Sequence, residues 1–150
     1  MRSLAFAIFV FFSGSVLASV DARISLGKTG GRSVRVVVSL INNTAKTICI
    51  NSAALGLDGA ISEPLFNVAR DSQPLEFSGI REIKTSQPDR SFLVLVPQQE
   101  ISVSHDLSAY YDFSLPGRYR INFDTMSIGK CRGVRGGMEF KSNYIFFERK

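Results

Sequence analysis

Histidine is almost absent from this chain of 150 residues, which contains His105 and no other. A site with two or three histidine ligands therefore cannot be assembled, which excludes many catalytic zinc centres. The sequence also lacks the HExxH, GxSxG and GxxxxGK(S/T) motifs of metalloproteases, serine hydrolases and phosphate-binding loops. His105 shares its strand register with the apolar Ile101 and Leu107, which predicts a partly buried structural histidine. We expect no metal, no cofactor and no enzymatic activity.

Long apolar runs are also scarce, and residues 4–12 form the only one. This run is too short to span a bilayer, which needs about 20 apolar residues. Arg2 precedes it and small residues follow it, an arrangement typical of a cleavable secretory signal. We predict that residues 1–18 are a signal peptide, with Ala22 as a second cleavage position. Residues 19–150 would then form one secreted or periplasmic domain without a membrane span.

If the protein is exported, two cysteines and one glycosylation pattern become relevant. Cys49 and Cys131 allow one intramolecular disulfide bond, closing a loop of roughly 80 residues and contributing about 4 kcal/mol in the chain-entropy model. The alternative, two unpaired thiols, is disfavoured in an oxidising compartment. Asn42 begins an Asn-x-Thr pattern that accepts N-glycans, which would matter only in a eukaryotic host.

Helical periodicity is absent, and apolar residues instead alternate over short segments. The predicted strands are 33–41, 47–55, 65–69, 75–77, 92–96, 101–107, 119–123 and 143–148. About eight short strands at this spacing predict an antiparallel, immunoglobulin-like β-sandwich. Tyr119 stands where such sandwiches place a tyrosine corner, whose hydroxyl bonds to the corner backbone. The predicted core is Val36, Val38, Ile50, Phe66, Val94, Val103, Leu107, Tyr119, Ile121 and Phe123.

Positive charge is concentrated near the C-terminus. Residues 116–150 contain eight Lys or Arg and three Asp or Glu, whereas residues 19–115 contain nine basic and ten acidic residues. Residues 125–142 are predicted to be a glycine-rich loop in which Lys130, Arg132 and Arg135 bind an acidic or polar partner. The alternative is a solvated loop whose charges only aid solubility. Nucleic acid is disfavoured as a partner because no aromatic residues interleave with these charges.

Two carboxylates support a rival interpretation as a secreted hydrolase. Asp106 and Asp112 flank the corner before the Tyr119 strand, and paired carboxylates perform acid–base chemistry in glycosidases. Carboxylates at such corners, however, usually accept hydrogen bonds from backbone N–H groups. A purely structural extracellular domain is the third interpretation.

Short segments between residues 33 and 123 share features with one kind of secreted domain. The matching segments are 34–43, 48–55, 65–68, 75–80, 95–97, 106–112 and 117–119. The most specific portion is Asp-Leu-Ser at 106–108, followed by a tyrosine pair and then by Gly117-x-Tyr119. In these features the chain resembles the β-sandwich pro-region that precedes the catalytic domain in secreted deuterolysin-like and peptidyl-Lys metalloendopeptidases.

The resemblance implies a sandwich fold, export and an association with proteases. It does not imply peptidase activity, because the zinc-binding helix of the catalytic domain has no counterpart in this sequence. In such proteins the leading domain assists folding or masks the active site. A separate copy could bind a secreted protease, or another extracellular protein, in trans. The expected function is therefore a non-enzymatic binding or inhibitory module.

Overall fold

The computed structural model of the protein describes residues 19–27, 33–57, 61–79, 92–131 and 134–150, and for 129–131 and 134–136 it describes only the backbone. These ranges contain ten strands and two short 3-10 helices, Ser52–Leu55 and Leu107–Ala109. The strands are β1 (Val20–Leu26), β2 (Arg35–Asn42), β3 (Ile48–Asn51), β4 (Phe66–Arg70), β5 (Gln73–Pro74), β6 (Phe92–Leu95), β7 (Glu100–Asp106), β8 (Gly117–Cys131), β9 (Val134–Lys141) and β10 (Ile145–Arg149). The predicted signal peptide, residues 1–18, lies outside the described residues.

The strands form antiparallel sheets. One sheet has the order β1-β2-β7, and a second has the order β10-β8-β4-β5, with β9 paired to the distal half of β8. Strands β3 and β6 form a separate pair. The predicted all-β, immunoglobulin-like sandwich is therefore confirmed.

The core lies between the sheets and is built from alternate residues of each strand. The predicted core residues that are buried are Val36, Val38, Ile50, Phe66, Leu107, Tyr119, Ile121 and Phe123. Val94 was wrongly assigned, since it is 38% exposed. Its neighbours Leu93 and Leu95 pack on the core, and a strand turns successive side chains to opposite faces. Val103 is only half-buried because β7 is the last strand of its sheet.

Besides shifts of one or two residues at strand ends, three regions differ from the predicted strands. Residues 52–55 continue strand β3 as a 3-10 helix, whose N-cap Asn51 accepts a hydrogen bond from Ala53 N–H (3.0 Å). The strand expected at 75–77 is instead the short β5 at Gln73–Pro74. Strand β1 was not predicted, although its apolar residues alternate regularly with Asp21, Arg23 and Ser25.

The largest difference is at residues 125–142, where the described residues 125–131 and 134–141 form strands and not a loop. They continue β8 and return as β9, a long hairpin in which Thr125 pairs with Phe140 and Lys130 with Arg135. Phe140 is buried against the body of the domain. The glycines suggested irregular backbone, but cross-strand pairing and the burial of Phe140 outweigh that local preference.

The corner before β8 is the predicted tyrosine corner. The Tyr119 hydroxyl donates to the Leu115 carbonyl at 2.5 Å, four residues upstream. Its ring stacks on Phe147 of β10 at 5.1 Å between centroids and contacts Phe113 at 5.2 Å. The hydrogen bond thus ties the corner backbone to a residue at the centre of the core, as predicted.

Candidate functional site

The β8–β9 hairpin is the element on which the predicted binding residues lie. Lys130 and Arg135 are paired across the hairpin, whereas Arg132 lies outside the described residues. Nearer the body of the domain, Met126 and Ile128 are each 55% exposed while Ser127, between them, is buried. The hairpin therefore presents apolar side chains to solvent next to the strand pairing that contains Lys130 and Arg135.

A shallow depression lies beside these exposed side chains. It has a volume of about 520 Å³ and is lined by residues 62–65 together with Thr125, Met126 and Ile128. Met126 and Ile128 were not among the predicted binding residues. Their positions were the signal that could have found them, because Tyr119, Ile121 and Phe123 place the odd-numbered residues of β8 in the core and therefore Met126 and Ile128 on its outer face.

The cysteine of the hairpin, Cys131, bears on how the hairpin is anchored to the domain. Cys49 is disulfide-bonded in the structure. The side chain of Cys131, the only other cysteine of the chain, lies outside the described residues, so the Cys49–Cys131 pairing stays a prediction. Strand β3 does lie beside β8, since Asn51 N–H donates to Ser127 Oγ (2.8 Å) and Asn51 Nδ2 donates to the Ile128 carbonyl (3.1 Å).

The carboxylates of Asp106 and Asp112 each accept a hydrogen bond from the backbone N–H two residues further along the chain. Asp106 accepts hydrogen bonds from Ser33 Oγ (2.6 Å) and from the Ser108 N–H (3.1 Å). Asp112 accepts from the Ser114 N–H (2.8 Å). The hydrogen bonds from Ser33 and Ser114 lower the pKa of Asp106 and Asp112, respectively. Carboxyl groups with lowered pKa values are ionised at neutral pH, which suits a capping role and not the role of a general acid.

His105 is a buried core residue, as predicted. Its ring meets Phe66 edge-on at 5.5 Å between centroids, and its Nε2 has no hydrogen-bond partner among the described residues. Burial lowers the pKa of His105, so the ring is neutral at pH 7. No group of three potential metal ligands occurs in the described part of the chain.

Asn42, the residue of the glycosylation pattern, is fully buried. Its Nδ2 donates to the carbonyls of Lys46 and Leu95, both at 2.9 Å. Its Oδ1 accepts from the N–H and the hydroxyl of Thr44 at 3.0 and 2.7 Å. A glycan would attach to the nitrogen that makes two of these bonds, so the folded domain has no room for it.

A second surface lies on the outward face of strands β8 and β10. Arg118 lies over the Phe146 ring at 5.3 Å and Arg120 over the Tyr144 ring at 5.2 Å, and both rings are about half exposed. Next to Arg120 a groove of about 420 Å³ runs along β4 and contains Asn122. Sequence analysis missed this surface, although alternation with Tyr119 and Ile121 places both arginines on the outer face.

The chain is similar to an extracellular protease and, more distantly, to a solved structure. No protein-family model matches the chain. It is 31% identical over 131 residues to an extracellular protease of Aeromonas hydrophila, a match that covers 85% of this chain. The chain spans 37% of the length of that protease. A solved Bacillus subtilis protein, provisionally assigned as a lipoprotein, aligns with 81% of this chain and 34% of its own at 8% identity and a TM-score of 0.34.

The described residues contain no helix that is long and apolar enough to cross a membrane.

Proposed function

We propose that this protein is an exported, non-enzymatic binding module whose target is a secreted protease or another extracellular protein. The observation that carries the proposal is the similarity to the Aeromonas extracellular protease. The match includes most of this chain but little more than a third of the protease. A segment of this size is what an accessory domain, separate from the catalytic domain, would contribute. The resemblance to metalloendopeptidase pro-regions supports the same conclusion.

The two carboxylates on which the rival hydrolase interpretation depends already have structural roles. Asp106 and Asp112 each cap a turn, and both have lowered pKa values. No observation therefore favours a hydrolase over a binding module. We expect no turnover of peptide or glycan substrates, with or without added metal ions.

The β8–β9 hairpin is the binding surface that we propose. Exposed Met126 and Ile128 supply apolar area next to a segment that also contains Lys130, Arg132 and Arg135. Apolar anchors surrounded by charged residues are the usual composition of a protein–protein interface. The proposed Cys49–Cys131 bond would hold the base of the hairpin and reduce the entropy lost on binding. A masking or inhibitory role follows if the target is the active-site face of a protease.

The test begins with the secreted, disulfide-bonded protein as bait in the secretome of its host. The captured partner is then titrated against hairpin variants. We expect the triple variant Lys130→Ser/Arg132→Ser/Arg135→Ser and the double variant Met126→Ser/Ile128→Ser each to weaken binding at least about tenfold. Binding should also weaken with rising salt, because exposed charges are screened beyond about 8 Å at physiological ionic strength.

A matched control removes three exposed basic residues elsewhere, Arg23→Ser/Lys46→Ser/Lys150→Ser, so the change in net charge is the same. This control should keep wild-type affinity. Equal losses in the control and the hairpin triple variant would mean that only net charge matters. No loss in either hairpin variant would place the binding surface elsewhere.

Export and processing can be tested by intact mass. We propose cleavage after Ala18, because strand β1 begins at Val20 and the Ser19 carbonyl accepts a hydrogen bond from Asn43 N–H (3.0 Å). Cleavage after Ala22 would remove the first three residues of β1. The secreted protein should therefore begin at Ser19 and contain no thiol that reacts with an alkylating agent before reduction. A chain that begins at Arg23 or carries two free thiols would contradict the proposal.

A further inference from the structure

Asn122 is a buried polar residue with an unsatisfied donor. It is 2% exposed, and its Nδ2 has no hydrogen-bond partner in the described part of the chain. Ile121 and Phe123 face the core, so the Asn122 side chain lies on the opposite face of β8, where it lines the groove along β4. A buried amide without a partner is costly, and each such group in a native protein calls for an explanation.

The groove around Asn122 combines apolar walls with hydrogen-bond donors. Pro64, Pro74 and Leu75 contribute to its walls, and Arg120 and Tyr144 lie at its polar side. Among the residues that the structure describes, no Asp or Glu lines it. The carboxylate of Asp124, also on the outward face of β8, accepts a hydrogen bond from Asn67 Nδ2 (3.2 Å) and does not line the groove. The groove therefore presents an unpaired hydrogen-bond donor, Asn122 Nδ2, together with the positive charge of Arg120.

We propose that this groove binds an extended peptide segment of a partner protein, one that carries a carboxylate next to apolar side chains. The apolar side chains would occupy the space between Pro64, Pro74 and Leu75. The carboxylate would accept hydrogen bonds from Arg120. Asn122 Nδ2 is buried, so a peptide carbonyl or the same carboxylate would accept from it once the side chains that cover it move aside. Charge-assisted hydrogen bonds of this kind are the strong ones in protein recognition.

The volume and chemistry of the groove favour a peptide over a glycan. About 420 Å³ lies within the range of ligand pockets and accommodates one or two large side chains. A sugar ring needs an open aromatic platform, whereas the Tyr144 ring already has the Arg120 guanidinium over it. Glycan sites also rely on acceptors such as carboxylates, and no carboxylate of the described part of the chain lines this groove.

The surface is separate from the hairpin that we propose as the binding element of the module. The groove is lined by residues of β4, β5 and the proximal half of β8 and by Pro64, Leu75, Phe77, Tyr111 and Tyr144, whereas the hairpin is the distal half of β8 with β9. Pro64 also lines the depression beside the hairpin, but none of the residues varied in the two tests is shared. A result at one surface therefore does not decide the other.

The experiment is a titration of the ¹⁵N-labelled secreted protein with two short peptides, acetyl-Leu-Phe-Asp-amide and its isosteric counterpart acetyl-Leu-Phe-Asn-amide, followed by NMR. The side-chain amide signal of Asn122 is the direct readout. We expect the Asp peptide to shift this signal and the Arg120 side-chain signal at millimolar concentrations. The Asn peptide should bind about tenfold more weakly, because it cannot accept charge-assisted hydrogen bonds.

Arg120→Ala is the variant and Arg118→Ala its matched control. Both arginines are exposed on the same face of β8 and both lie over an aromatic ring, but only Arg120 lines the groove. Arg120→Ala should lower the affinity for the Asp peptide about tenfold and Arg118→Ala should leave it unchanged. The proposal is overturned if the Asn122 signal does not move up to about 10 mM peptide, which means that the groove holds only water. Equal binding of the two peptides, equal losses in the two variants, or a shift produced by cellohexaose in place of the peptide would also overturn it.

Discussion

Asn42 and Asn122 are buried to nearly the same degree, at 0% and 2% exposure, but their surroundings differ. At the end of β2, both polar atoms of Asn42 are hydrogen-bonded, to groups of residues 44, 46 and 95. In the groove along β4, the Nδ2 of Asn122 has no partner among the described residues. The first arrangement is what the fold requires of a buried amide. The second leaves a donor for a partner that is not part of the domain. Four variants test this difference.

The largest effect is expected at Asn42. The change Asn42→Leu removes both Nδ2 donors and leaves the carbonyls of Lys46 and Leu95 without them. We expect a loss of about 3 kcal/mol in the free energy of unfolding, since a buried unsatisfied group costs about 1–3 kcal/mol. Urea denaturation measures it. A loss below about 1 kcal/mol would mean that this network contributes little.

His105 is a second buried residue with an unpaired polar atom, because its Nε2 has no hydrogen-bond partner among the described residues. Since its ring can be protonated, its effect on stability depends on pH. Burial lowers the pKa of His105 below the 6.5 of the unfolded chain, so the unfolded state takes up the proton first as the pH falls. Stability should therefore be complete above pH 6.5 and decrease below it, by at most about 1.4 kcal/mol per pH unit.

The measurement is urea denaturation at several values between pH 7 and pH 4.5, for wild type and for His105→Leu. Asp106 and Asp112 have lowered pKa values, and their contribution is lost only as the pH falls below the ordinary value of 3.8. The window above pH 4.5 is therefore governed by His105 alone among these three residues. His105→Leu should flatten the profile, and an unchanged slope in that variant would exclude His105 as its cause.

Tyr111 lines the same groove as Asn122 but its hydroxyl is satisfied, donating to the Phe66 carbonyl at 2.6 Å. Burial raises the pKa of Tyr111 to about 12. Tyr111→Phe should cost about 1 kcal/mol, the usual contribution of one hydrogen bond. Tyr144→Phe is the control, because that ring is exposed, and it should change stability by less than about 0.5 kcal/mol. Equal thermal shifts in the two variants would contradict the expectation.

The smallest effect is expected at Asn122. Asn122→Leu removes an amide whose Nδ2 is unsatisfied, so stability should stay within about 0.5 kcal/mol of wild type or increase, in contrast to Asn42→Leu. Differential scanning calorimetry of the two variants gives the comparison directly. A loss as large as that of Asn42→Leu would show that Asn122 has a structural role and would weaken the case for a ligand.

Alternation along the chain was enough to predict most of the sandwich. Strands β2, β4 and β7 and the first half of β8 each carry apolar residues at every second position, and the Tyr119 corner follows from its place before a strand. The hairpin could not be predicted in this way. Residues 129–137 are rich in glycine, and the pairing of β8 with β9, together with the burial of Phe140, keeps the described residues 129–131 and 134–137 extended.

The sequence by itself determined the class of fold, the corner and the absence of a multi-histidine site, because each depends on residue type and on spacing along one strand. The tertiary structure decided which polar residues are satisfied and which surfaces are functional candidates. Arg120 reaches the Tyr144 ring only because β10 pairs with β8, with Phe146 opposite Arg120. Asn42 and Asn122 are the same residue type, but Asn42 bonds to the nearby residues Thr44 and Lys46 and to Leu95 on a distant strand, whereas Asn122 Nδ2 has no partner among the described residues. Hydrogen-bond partners and grooves are properties of neighbours in space, which local pattern does not specify.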